Sequence, residues 1–214
     1  MASKKATKKA AHPAKRAAPK SSEKQAPAST EKPTHAALIR GINVGGHNLL
    51  PMTLLHAFFT DAGCRSVQTY IQSGNVVFHA SPALAAKLPK LLGAQLGKHL
   101  GRSADVSVIL RDSAALTRAI EHNPYPDAAA QPKTLHLGFL EQAPSHEQIA
   151  RLNVQQSPSD QFTVRGKELY LFTPGGIGRS KLTMSFFAKL GTPCTMRNWN
   201  TVLKLHSMLT PAEK

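Results

Sequence analysis

Apolar and polar positions change period several times along this chain, and each change marks an element. Residues 36–42 form a short, mostly apolar run read as a buried strand, followed by the loop Asn43-Val44-Gly45-Gly46-His47-Asn48. From Pro51, a residue suited to a first helical turn, Leu54, Leu55, Phe58, Phe59 and Ala62 recur at helical spacing until Gly63. Two alternating runs, 67–72 and 75–79, flank Ser73-Gly74 and predict a hairpin with a two-residue turn. That register sets Gln72 opposite Asn75 and Tyr70 opposite Val77 on the more polar face, and leaves Thr69, Ile71, Val76 and Phe78 on the core face. Ser81-Pro82 opens a second helix with a Leu84, Leu88, Leu91, Leu92, Leu96, Leu100 stripe, which Pro89 is expected to kink or interrupt. Residues 104–111 alternate as a fourth strand. The order is βαββαβ, the ferredoxin-like arrangement.

The second half repeats these parts. Asp112 caps a short helix, 133–140 is a strand, and Ser145 with Gln148 forms a capping box. Strands at 160–165 and 168–173 are joined by Gly166-Lys167. A Gly-rich loop, 174–179, leads to a helix through Leu182, Phe186, Phe187 and Leu190, and a last helix starts at Asn198. The half reads βαββα with an extra helix. The expected fold is therefore α+β, two ferredoxin-like lobes at 36–111 and 112–209, with tails at 1–35 and 210–214. No sequence repeat between the halves is evident.

Charge alters the picture at the N-terminus. The chain of 214 residues carries 27 Lys+Arg against 12 Asp+Glu, a formal net charge of +15. Residues 1–35, almost wholly Ala, Lys, Pro, Ser and Thr, hold +7 of it. Such a segment buries too little to offset an ordering cost of roughly 1–2 kcal/mol per residue, so it is expected to be disordered. It is similar to Lys-Ala-Pro tails that grip phosphate backbones without reading sequence; a solubilising extension is the other reading. No run approaches a membrane span, and there is no apolar secretory core. A mitochondrial presequence is rejected because no large aliphatic residue stands between Met1 and Leu38. The expected location is the cytoplasm, with Cys64 and Cys194 reduced.

Three stretches are candidates for ligand contact. In the first loop, Gly45-Gly46 lets a backbone approach a ligand, with Arg40, Asn43, His47 and Asn48 around it; alternatively the glycines only supply a tight turn. The 175–181 loop lacks the Gly-Lys-Ser/Thr order of a triphosphate site, but Lys181 beside Ser180 suits a general anion. In Arg197-Asn198-Trp199-Asn200, Arg197 and Asn200 are placed on a polar stripe opposite Trp199, Val202 and Leu203. Trp199 is assigned to the core and Asn198 to the N-cap. No two of the ten histidines lie three or four apart, and neither a nucleophile elbow nor a Cys-x-x-Cys is present. Neither a metal nor a cofactor is expected.

Leu38-Ile39-Arg40-Gly41-Ile42-Asn43-Val44-Gly45-Gly46, Tyr70-Ile71-Gln72-Ser73-Gly74-Asn75-Val76-Val77-Phe78 and Arg197-Asn198-Trp199-Asn200-Thr201-Val202 together resemble the family called domain of unknown function 1697. The resemblance spans roughly 36–209 and implies two α+β lobes of ferredoxin-like units, without an established activity. His47 stands where members commonly carry Lys, which replaces an ammonium with a mostly neutral imidazole.

The inventory of Arg, Asn, Gln, Ser and Gly, poor in carboxylates, suits a binding module better than proton transfer. Its expected ligand is a nucleotide, a nucleic acid or another phosphorylated molecule. The expected site comprises Arg40, Asn43, Gly45, Gly46, His47, Asn48, Gln72, Ser73, Asn75, Lys181, Arg197, Asn198 and Asn200, converging on a cleft between the lobes. An enzyme acting on a phosphorylated or nucleotide substrate, with His47 as its titrating group, is the second reading. Motifs that serve folding alone are the third.

Overall fold

The computed structural model describes residues 31–152, 155 and 157–210; the N-terminal tail up to residue 30 and the segment 211–214 lie outside them. The element order is β1 (His35–Ile39), α1 (Met52–Asp61), β2 (Arg65–Tyr70), β3 (Asn75–His79), α2 (Pro82–His99), β4 (Val108–Asp112) and α3 (Ser113–Glu121). A short α4 (Pro126–Ala129) then leads to β5 (Leu135–Leu140), α5 (His146–Ala150), β6 (Gln161–Arg165), β7 (Glu168–Phe172), α6 (Met184–Phe187), β8 (Cys194–Asn198) and α7 (Trp199–Leu209). The strands form two four-stranded sheets, ordered β2-β3-β1-β4 and β6-β7-β5-β8, in which every pairing is antiparallel.

Period-two alternation distributes the core over three layers. On β1, Ala37 and Ile39 face an outer cluster with Leu55 and Phe59 of α1 and Leu88, Leu92 and Leu96 of α2. Ala36 and Leu38 face the other way, into an inner cluster with Leu135, Leu137 and Phe139 of β5 and Trp199, Val202 and Leu205 of α7. A third cluster joins Leu140, Leu169 and Leu171 to Phe186 and Phe187. Central strands buried on both faces read as continuous apolar runs, which is why β1 and β5 were visible in the sequence. Trp199 is in the core, and Asp112, Ser145 and Asn198 cap their helices as expected.

Several expectations are corrected. The β2–β3 turn spans residues 71–74 rather than two, so Tyr70 pairs with Asn75 and Gln72 stands exposed in the turn. The face of β3 read as polar is also core, since Val77 and the half-buried Tyr70 join the inner cluster. Helix α2 runs through Pro89 without interruption. The stretch before Asn198, for which the sequence predicts no element, is strand β8, so Arg197 belongs to the strand that leads into α7. On α7, Leu203 is exposed, whereas Thr201 and Leu205 are buried.

With β8 in place the halves match element for element, apart from the connecting α4, and the strand registers pair them residue by residue. Ile39 amide N–H donates to Gly74 O at 2.8 Å and Leu140 N–H to Lys167 O at 2.9 Å; Arg40 N–H donates to Ser107 O at 3.0 Å and Glu141 N–H to Pro193 O at 2.9 Å. Ala36 lies opposite Arg111 as Leu137 lies opposite Arg197. Position by position, Arg40 corresponds to Glu141, Asn75 to Glu168, Arg111 to Arg197 and Asp112 to Asn198. Few of the corresponding positions keep the same residue, His35 with His136 and Arg111 with Arg197 among them, which hides the repeat from the sequence.

Candidate functional site

Each half sends an arginine into the other. Arg111 of β4 donates through Nε to Glu168 Oε1 (3.0 Å) and through its terminal nitrogens to the carbonyls of Leu110 (2.9 Å), Leu140 (2.9 Å) and Lys167 (3.0 Å). Arg197 of β8 does the same in reverse. Its Nε donates to Asn75 Oδ1 at 2.5 Å, and its terminal nitrogens donate to Thr195 Oγ1 and Met196 O (both 2.8 Å), Ile39 O (3.1 Å) and Gly74 O (3.4 Å). All five Arg197 N–H groups are thus engaged, and none meets a carboxylate. Burial lowers its pKa to about 10, so it remains a cation at neutral pH.

Arg197 forms part of the wall of a cavity of about 660 Å³ between the two sheets. Arg40, bonded through Nε to Cys194 O at 3.2 Å, and the exposed Arg102 also line it. Ile42, Val44, Ile71 and Met184 contribute apolar wall. The lining holds three arginines and no Asp, Glu, His or Lys. Cys194 is the titratable thiol there, and burial outweighs the nearby arginines to push its pKa up to about 12. It is a thiol, not a thiolate, at neutral pH.

Of the residues expected at the site, Arg40, Asn48, Ser73, Arg197 and Asn198 line this cavity. Asn75 stands behind its wall, fully buried, donating through Nδ2 to Tyr70 O (3.2 Å) and Ser73 Oγ (2.8 Å) while accepting from Arg197. Asn43 is turned to structural use. Its side chain donates to Leu50 O (3.0 Å) and accepts from Leu50 N–H (2.7 Å), closing the 43–50 loop. Gly45 and Gly46, at φ +58° and +78°, are the central residues of a tight turn in which His47 N–H donates to Val44 O at 3.0 Å. Neither glycine lines the cavity, nor does the exposed His47. Gln72, Lys181 and Asn200 are exposed and lie outside the lining. Asn198 donates to Pro132 O at 2.7 Å besides capping α7.

Sequence reasoning missed Arg102, Met184, Thr195 and Cys194. Nothing local marks the first two. Thr195 and Cys194 were lost with β8. Among the described residues no group of three or more His, Cys, Asp or Glu is placed to hold a metal ion, and no helix is long and apolar enough to cross a membrane.

The sequence profile of a family described as protein of unknown function (DUF1697) matches residues 33–170. The chain belongs to the DUF1697 family. The matched stretch carries Arg40, Asn75 and the first-loop motif but stops before β8, so the DUF1697 match does not include Arg197. No curated protein matches the chain. A solved structure of a conserved bacterial protein from Streptococcus pneumoniae is similar in fold, with a TM-score of 0.58 and 22% identity, over 83% of this chain and 99% of that one. At that identity the likeness extends to the fold of this DUF1697 protein and no further.

Proposed function

We propose that the cavity between the sheets binds an anionic ligand, a nucleotide, a nucleic acid or another phosphorylated molecule. The supporting observation is its lining: three arginines, no carboxylate, and a guanidinium held out of water without a counter-charge. Removing an arginine from water is costly, and hydrogen bonds to neutral carbonyls offset only part of that cost; an anion supplies the rest. Arg40 and Arg102 have terminal nitrogens without partners among the described residues and are the donors for it. The apolar wall at Ile42, Ile71 and Met184 suits the body of such a ligand.

Binding suits this inventory better than catalysis. The lining offers no general acid or base near neutral pH, and His47, the titrating residue of the enzymatic reading, is not part of it. The folding role weighed in the third reading is favoured for Asn43, whose side chain is engaged by Leu50, whereas the hydrogen bonds of Asn75 and Arg197 join the sheets while the Arg197 charge stays at the cavity wall.

In this reading each half is a ferredoxin-like lobe, consistent with its element and strand order. The 1–35 tail adds salt-sensitive, sequence-independent affinity for nucleic acid in the cytoplasm. Calorimetric titration with inorganic pyrophosphate and ATP tests the cavity. Arg40→Ala with Arg102→Ala is expected to abolish binding, and undiminished binding by that double variant refutes the reading. Deletion of residues 1–30 is expected to remove most binding to an arbitrary DNA duplex; full retention refutes the role of the tail.

A further inference from the structure

We propose that Asn75 sets the charge of the cavity: its neutral carboxamide, standing where the other half carries Glu168, leaves Arg197 unneutralised and so commits the site to phosphoryl-bearing ligands. The inference rests on the anion-binding reading and adds the residue that decides it.

The internal repeat supplies the comparison. A second cavity of about 370 Å³ lies at the corresponding place in the other half, walled by Val108, Leu110, Arg111 and Asp112, the counterparts of Cys194, Met196, Arg197 and Asn198. The two places share a framework and a central guanidinium; Lys167 of the second stands where the first has Gly74, and three further paired positions differ in charge in the opposite sense. Where one has Arg40, Asn75 and Asn198, the other has Glu141, Glu168 and Asp112. Glu168 accepts from Arg111 Nε with a full negative charge, and Asn75 accepts from Arg197 Nε with none. The fold therefore accommodates a carboxylate at this place and uses a carboxamide at one of the two.

Because every Arg197 N–H is taken, that residue acts on a ligand through its field and not through hydrogen bonds. A buried charge is screened far less than an exposed one, so the identity of its neighbour governs how much positive potential reaches the cavity. A carboxylate at 75 would cancel Arg197 and set a negative charge against Ser73, which lines the cavity.

The test uses the full chain, with pyrophosphate and ATP as probes, calorimetry for affinity and thermal unfolding for integrity. Asn75→Asp is expected to weaken both probes by at least about tenfold, and the neutral Asn75→Ser to lose clearly less. Thr195→Asp, which approaches the same guanidinium from β8, should reproduce the loss. A folded Asn75→Asp protein that binds as wild type does overturns the assignment alone. Equal losses in the Ser and Asp variants overturn it as well, because the hydrogen bond rather than the charge would then matter. Failure of both Asp variants to fold also counts against it, since equivalence with Glu168 requires a carboxylate to be tolerated. Absence of binding by the wild-type protein refutes the cavity reading beneath it.

Discussion

Arg111 of β4 and Glu168 of β7, 57 positions apart, form an ion pair at 3.0 Å that ties the first sheet to the second. Arg111 is almost fully buried, while the Glu168 side chain keeps 20% of its surface exposed. Removing one partner of a buried pair costs several kcal/mol, and the exposure of Glu168 discounts that figure. Glu168→Ala should therefore lower unfolding free energy by about 2–3 kcal/mol. Glu168→Gln should lower it by only about 1 kcal/mol, because a carboxamide oxygen still accepts from Arg111. Urea denaturation of the two variants checks the order, and a Gln variant as unstable as the Ala variant contradicts it.

Gly74 is required by geometry. It sits at φ +71°, and a Cβ there would meet Ile42 Cγ1 at 2.9 Å and Ile39 Cβ at 3.0 Å. Its carbonyl also accepts from Ile39 N–H and from Arg197. Gly74→Ala combines left-handed backbone strain with overpacking, together about 2–4 kcal/mol. A drop of that size in urea stability is expected; a variant within about 0.5 kcal/mol of wild type would mean that the turn relaxes freely.

Much of this architecture was legible because β1, β3 and β5 are mostly apolar, with polar residues confined to His35, Asn75, His79 and His136, and the helices α1, α2 and α7 carry clear stripes. Strand β8 was not legible, for a physical reason. It alternates correctly, with Cys194 and Met196 facing the third cluster, but Thr195 and Arg197 occupy the buried opposite side. Periodicity assigns polar residues to solvent, whereas these two bond each other and Arg197 also reaches carbonyls and a carboxamide of the opposite sheet. The hairpin was misjudged because Ile71 adopts φ +47°, which a β-branched residue rarely does, and lengthens the turn to four residues. Of the candidate site, Arg40 and Arg197 were found because they stand in dense motifs. Arg102 was not, because only the tertiary fold brings the end of α2 near the first loop.

The thiols give a direct probe of closure. Cys64 and Cys194 are buried, and burial raises their pKa values to about 11 and about 12. Neither forms thiolate near pH 8, so iodoacetamide should leave both unmodified in the native protein and label both in urea. Mass spectrometry reads the outcome. Rapid native labelling of Cys194 would show that the cavity wall opens to solvent.

Acid should weaken the fold through His136. This residue lies on β5, 7% exposed, and its Nδ1 has no hydrogen-bond partner among the described residues. Burial lowers its pKa below the ordinary 6.5. The unfolded imidazole therefore takes up a proton as pH falls through 6.5 while the folded one does not, so the unfolded state binds more protons there. The contribution to stability is complete above that range and is lost as pH drops toward the folded pKa, by up to about 1.4 kcal/mol per pH unit. His35, the counterpart of His136 on β1, is shifted in the same direction by burial and by His79, opposed by Asp112. His136→Leu removes the titrating group and the unpaired nitrogen together. Its loss of stability between pH 7.5 and pH 5.5, measured by urea denaturation, should be smaller than that of wild type by about 0.5–1 kcal/mol. Equal losses in the two proteins would place the acid sensitivity elsewhere, with His35 the next residue to replace.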